Sequence, residues 1–254
     1  MDRVKIGDFL EFFDEHPELA KLDRWGLVDV FESLASNTAS KRVWEQPELH
    51  PWGSLDDWHE MPLPGEGLLY PLFAAGRIRS ACFFSIYNEL EITIKRWTTI
   101  IDSDPRKTHQ LNVKDFHKLP SLQACVKYLD GAYNLELEGS HHWRDVDKLR
   151  LIRNYLTHSG DQFDGEDKGA LKAIKEIAVN KKYAALVTEK DEMSFEFNPE
   201  AVLKATKSRP DVPSEPFTVV FLEGFLEYSL HCSNKFLAYF FEKLRRWDSK
   251  LREA

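Results

Sequence analysis

The sequence predicts a mainly α protein: a helical bundle carrying one small β-hairpin and preceded by an N-terminal helical extension. Three observations predict it. Apolar residues recur three or four apart, the spacing of one helical face, over 76–101 and again over 146–156. The chain beyond Pro216 is one long aromatic stretch that reads as a helix ending in Lys243, Arg245, Arg246, Lys250 and Arg252. Only 183–198, YAALVTEKDEMSFEFN, alternates apolar and polar residues on both sides of a polar centre, Glu189-Lys190-Asp191, as a hairpin does.

The elements follow in order. Residues 6–16 and 23–36 have helical spacing, with Pro17 between them as the break. Residues 41–71 hold five of the twelve prolines and three of the seven tryptophans, so they read as irregular structure packed on the helices, because Trp44, Trp52 and Trp58 are costly to leave in water. A long helix over 76–101 turns inward Ile78, Cys82, Ile86 or Leu90, and Trp97, with Glu89 and Glu91 in its middle. Residues 119–129 give a further helix with Pro120 in its first turn. A loop leads to a helix capped by Ser140 or Asp145. Past Gly160 come an acidic loop and a short lysine-rich helix, then the hairpin and the closing helix. Residues 1–75 form the extension and 76–254 the helical domain, together one compact unit.

Whole-chain properties narrow the function. Hydrophobic residues at 43 % and aromatics at 13 % exclude a disordered chain. With 42 acidic against 34 basic residues the formal net charge is -8, so there is no general attraction for nucleic acid, and any polyanion site must be local. Three widely spaced cysteines, Cys82, Cys125 and Cys232, form no Cys-x-x-Cys pair and suit a reducing compartment. The first residues carry acids where a signal peptide needs an apolar run, and no 18-residue apolar segment occurs. The expectation is a cytoplasmic protein with no membrane partner.

The stretch 149–160, LRLIRNYLTHSG, carries the chemistry. Val146, Leu149, Ile152 and Leu156 form its inward face, and Gly160 supplies the left-handed residue that stops the helix. At about 100° per residue Arg153 borders that face, whereas Asn154 and His158 share the opposite side. A guanidinium at a core edge requires a carboxylate or an anionic ligand. Glu89 and Glu91 are the candidate carboxylates. Leu151 and Tyr155 make a second partly apolar face that something must cover.

Arg153-Asn154-Tyr155-Leu156-Thr157-His158, an arginine, four residues and a histidine, resembles the signature of the HEPN superfamily, as do the polar residue after the arginine and the Ser-Gly pair after the histidine. The order of elements is also similar: a long earlier helix with a mid-helix acid, the motif at a later helix end, a hairpin and a closing helix. The likeness covers about 76–254. It implies a metal-independent endoribonuclease, of toxin or antiphage type, acting on RNA without a cofactor as a homodimer whose two motifs meet, and subject to an antitoxin or regulatory partner. Residue by residue, it implies that Arg153 binds the scissile phosphate and that His158 moves the proton between the 2′-hydroxyl, the phosphate and the leaving oxygen, which suits imidazole because both its forms exist near neutrality. Asn154 is expected to orient the imidazole or the phosphate, and Glu89 or Glu91 to support the site. The alternative is a non-catalytic helical module that binds a nucleotide or a partner protein in the same groove. Two bland readings remain beside it: a histidine in a last helical turn is favoured there by the helix dipole, and Arg153 can simply pair with a glutamate.

Other motifs are weaker. His141-His142 and the group His50, His59 and Glu60 match no metal-site spacing. Asp161, Asp164, Glu166 and Asp167 lack the order of a calcium loop. His231-Cys232 lies within the closing helix, where core packing explains it. The basic C-terminal turn and Lys168, Lys172, Lys175, Lys181 and Lys182 are candidates for guiding RNA, or else ordinary solvated charges.

Overall fold

The computed structural model describes residues 25–39, 66–104, 121–160, 162–163, 166–194 and 199–253, with the isolated positions 10, 21, 22, 111 and 115. The expected helix over 6–16, Leu10 apart, and the Trp-rich stretch 41–65 lie outside the described residues. The described chain is mainly helical with a small antiparallel sheet. In order it forms α1 (Trp25–Ala39), α2 (Glu66–Asp102), α3 (Ser121–Tyr133), α4 (His141–Ser159), β1 (Gln162–Phe163), α5 (Lys168–Lys175) running into a π turn (Glu176–Asn180), β2 (Ala184–Thr188), α6 (Glu189–Ser194), α7 (Pro199–Ser208), β3 (Phe217–Phe221) and α8 (Phe225–Glu253). No helix among the described residues is long and apolar enough to cross a membrane. The three cysteines are buried free thiols.

The chain divides into two compact units. The first comprises Ser85–Leu149, Ser229–Ala254 and the chain before Trp25; the second comprises Trp25–Phe84 and Arg150–Tyr228. The first unit is helical. Ile86, Leu90, Ile94, Trp97 and Ile101 of α2 recur at helical spacing and are buried. From α8 come Phe236, Phe240, Phe241 and Leu244, with Trp97 edge-on to Phe241 at 5.1 Å and Trp143 against Phe236 at 5.6 Å. Such ring pairs add about 0.5–1.5 kcal/mol each beyond the area they bury. Ser140, one of the two expected caps, starts α4: its Oγ accepts the Trp143 N–H at 3.0 Å.

The second unit holds the sheet, in the order β1-β3-β2, all antiparallel, with Ala184 opposite Phe221 and Thr188 opposite Phe217. Every residue of β2 is buried, which is why its first four residues, AALV, are continuously apolar. Leu72 of α2, Val202 of α7 and Ala185, Val187, Val220 and Leu222 form its core. Gly76 lets α2 approach the sheet, since a Cβ there would stand 2.8 Å from Val220 Cγ1. Arg79 then ties three elements together: Nε donates to Glu32 of α1 at 2.7 Å and Nη1 to the Phe221 carbonyl at 3.3 Å.

Three boundaries differ from the sequence reading. Helix α2 begins at Glu66, ten residues before the expected Gly76, so 66–71 are helical and residue 75 lies inside the helix. Pro71, the sixth residue of that helix, removes one N–H from its backbone ladder. Glu189 opens a helix instead of a hairpin turn, because Thr188 and Asp191 cap it reciprocally: Thr188 Oγ accepts the Asp191 N–H at 3.2 Å and the Asp191 carboxylate accepts the Thr188 N–H at 2.8 Å. The partner of β2 is β3, a segment read as the start of the closing helix. FTVVF is aromatic and β-branched, and Gly224, at φ 84°, separates it from α8.

Candidate functional site

The motif occupies the last two turns of α4 and continues to the residue after it. Ile152 and Tyr155 face inward and are buried, fixing the rotation of the helix. Tyr155 packs on Phe163 of β1, ring centroids 4.5 Å apart, and Phe163 stacks on Phe217 of β3 at 5.1 Å and 14°. With that rotation set, Arg153 and Asn154 are half-buried, and Thr157 and His158 are exposed. Arg153 Nη1 donates to Asn154 Oδ1 at 3.1 Å. The Thr157 hydroxyl donates back to the Arg153 carbonyl at 2.8 Å. Gly160 takes φ 70° and its N–H bonds the Leu156 carbonyl at 3.1 Å, so the helix stops where the glycine predicted.

This end of α4 therefore presents a guanidinium oriented by a neighbouring amide and, four residues after that amide, an exposed imidazole. A guanidinium offers parallel N–H groups to two oxygens of a phosphate or carboxylate, and an exposed imidazole can exchange protons with whatever lies against it. No family model, curated protein or solved structure matches this chain. The chemistry of the site rests on the residues themselves.

The structure brings Arg153 and Asn154 together. Asn154 spends its carbonyl oxygen on Arg153, a contact the sequence reading did not assign to it. Glu89 and Glu91 are half-buried on α2 within the first unit, and Glu91 pairs with Lys95 at 2.9 Å, an i,i+4 contact. The second apolar face of the motif helix is covered within the chain: Tyr155 by Phe163, and Leu151 by the start of α5, where a Cβ on Gly169 would lie 3.5 Å from Leu151 Cδ2.

The weaker motifs acquire structural roles. Asp167 caps α5, accepting the N–H groups of Gly169 and Ala170 at 2.9 Å each. Lys175 pairs with Asp211 at 2.7 Å and Lys181 with Glu176 at 3.9 Å. Among the described residues no group of three or more His, Cys, Asp or Glu could hold a metal ion; His50, His59 and Glu60 lie outside them. The Thr188–Asp191 cap has a local signal in Thr-x-x-Asp, whereas nothing local announces the ring stack from Tyr155 to Phe217.

Proposed function

We propose that this chain is a metal-independent endoribonuclease in which Arg153 and His158 act on the scissile phosphate and Asn154 positions Arg153. The observation that carries it is the arrangement on the last turns of α4: His158 exposed at the helix end, with Arg153 one turn before it and bonded to Asn154. His158 takes the proton from a ribose 2′-hydroxyl, and that oxygen attacks phosphorus. The bond from phosphorus to the 5′-oxygen breaks, and the leaving oxygen takes up a proton, giving a 2′,3′-cyclic phosphate and a 5′-hydroxyl. Arg153 offsets the charge that builds on the non-bridging oxygens. The resemblance adds a homodimer, a toxin or antiphage role and an antitoxin or regulatory partner to the same proposal.

The in-chain cover over Tyr155 favours a second reading, a non-catalytic module binding a nucleotide or protein partner through the same residues. Purified wild type, His158→Ala and Arg153→Ala incubated with total RNA and EDTA separate the two. The nuclease reading expects cleavage by wild type, cyclic phosphate ends, and a loss of about 10²-fold or more in each variant. Intact RNA with wild type, or equal cutting by both variants, rejects it.

A further inference from the structure

In the first unit α8 carries a stripe that none of this chemistry uses. Lys235, Tyr239, Lys243, Arg246 and Lys250 are spaced four, four, three and four residues apart, which places them within roughly 80° of one another around the helix. Lys235, Arg246 and Lys250 are exposed, and Tyr239 and Lys243 half-buried. Among the described residues two carboxylates pair with these four cations: Glu136 with Lys243, and Glu242 with Arg246. The stripe stays basic on a chain whose net charge is -8.

Aromatic rings lie in a row across it. His141 and His142, in the first turn of α4, have ring centroids 3.7 Å apart, and His142 lies 5.2 Å from Tyr239. Lys243 Nζ sits over the Tyr239 ring at 5.4 Å. The row is held in place. The Tyr239 hydroxyl donates to the Glu136 carbonyl at 3.2 Å. Glu136 itself has φ 58°, and the next two N–H groups both bond the Asp130 carboxylate at 2.7 Å. Burial, then the charges of His141 and Lys235, hold the half-buried His142 below the usual imidazole pKa against the pull of Asp145 and Glu242.

We infer that this face of α8 is a binding surface for single-stranded RNA, with Tyr239 and His142 stacking bases and the four cations following the phosphates. Cations alone would suit any polyanion. Rings at stacking distance between them suit a polymer that carries a flat base beside each phosphate, where each stacked base is worth about 1–3 kcal/mol. The surface stands whether or not Arg153 and His158 cut RNA.

The test is fluorescence anisotropy of the full chain with a labelled 2′-O-methyl oligouridine of about 12 nucleotides, a length within the usual site sizes. Its blocked 2′-oxygen prevents cleavage, so binding is read alone. Wild type is expected to bind at low salt and weaken as salt rises. Lys235→Gln and Lys250→Gln should each lower the slope of log affinity against log salt by about 0.7. Tyr239→Ala should weaken binding about tenfold with the slope unchanged, and Tyr239→Phe, which keeps the ring, should bind like wild type. The inference is overturned if wild type does not bind, if Tyr239→Ala binds as wild type does, or if polyglutamate displaces the oligonucleotide as well as unlabelled oligouridine, which would make the stripe a seat for acidic protein segments.

Discussion

Helix α6 begins just after Thr188 and helix α4 ends just before Gly160, and in both places a threonine, a titratable side chain and an arginine gather around a helix end. At Thr188 everything is inside. Thr188 and Asp191 are buried; the Asp191 carboxylate accepts the Thr188 N–H and hydroxyl at 2.8 Å each and Arg209 Nη2 at 2.6 Å, and Arg209 Nη1 reaches the Leu186 carbonyl at 3.0 Å. At Gly160 the threonine and the histidine are outside, and Thr157 does no more than bond back to the turn before it. Burial makes a polar group costly to leave alone, so each member of the first cluster depends on the others. Exposure leaves water as the alternative partner, so Thr157 and His158 contribute little to stability and remain accessible to a ligand.

The largest test of that contrast is Arg209→Ala. It leaves a buried carboxylate with its charge uncompensated and should cost about 3 kcal/mol, the lower end for breaking a buried pair because Arg209 is itself partly exposed. Urea unfolding measures it, and a loss below about 1 kcal/mol would mean that water replaces the guanidinium freely. The same cluster sets a pH dependence. Burial pushes the Asp191 carboxyl up, but the Thr188 N–H, the Arg209 guanidinium and the Thr188 hydroxyl together hold it below the ordinary carboxylate value. A carboxyl lowered in the folded state stabilises fully above its unfolded pKa of about 3.9, and that contribution is lost as pH falls further. Melting temperature should therefore drop below about pH 4, and Asp191→Asn should flatten that part of the curve; a parallel curve for the variant would assign the acid sensitivity elsewhere.

These two clusters also divide what was legible in the sequence. The end of α4 was readable because its signals are local: an apolar period of three to four residues, Ser140 ahead of it, and a glycine where φ must be positive. The start of α6 was not, because EKDEMSFEF alternates like a strand, and only the pairing of AALVT with FTVVF, some thirty residues on, settles which segments enter the sheet. A sheet partner is a non-local fact. The Arg153–Asn154 bond was equally hidden: adjacent residues point about 100° apart on an ideal helix, and only the long arginine side chain closes the gap.

Gly160→Ala probes the exposed end's one backbone demand. At φ 70° an L side chain meets the following carbonyl, so the change should cost about 1 kcal/mol. Gly160→Asn should cost less, because asparagine tolerates that conformation. Equal loss for both would point to a need for space at residue 160, yet none of the described residues beyond its chain neighbours lies within 4 Å of a Cβ there.

The smallest expected effect discriminates most. If the exposed end of α4 serves binding or catalysis, His158→Ala should change stability by less than about 0.5 kcal/mol, roughly 1–2 °C in melting temperature for a chain of this size, while RNA cleavage falls by the factor expected of a lost proton-transfer group. His158 is exposed and lies in the last turn, so the main thing removed from the folded state is a favourable side chain near a helix C-terminus, worth about 0.3 kcal/mol at so exposed a position. Differential scanning calorimetry on the same preparation used for the cleavage assay keeps the two quantities comparable. A melting temperature several degrees lower would place His158 with Asp191, among the residues that hold the fold, and any loss of cleavage would then report unfolding instead of chemistry.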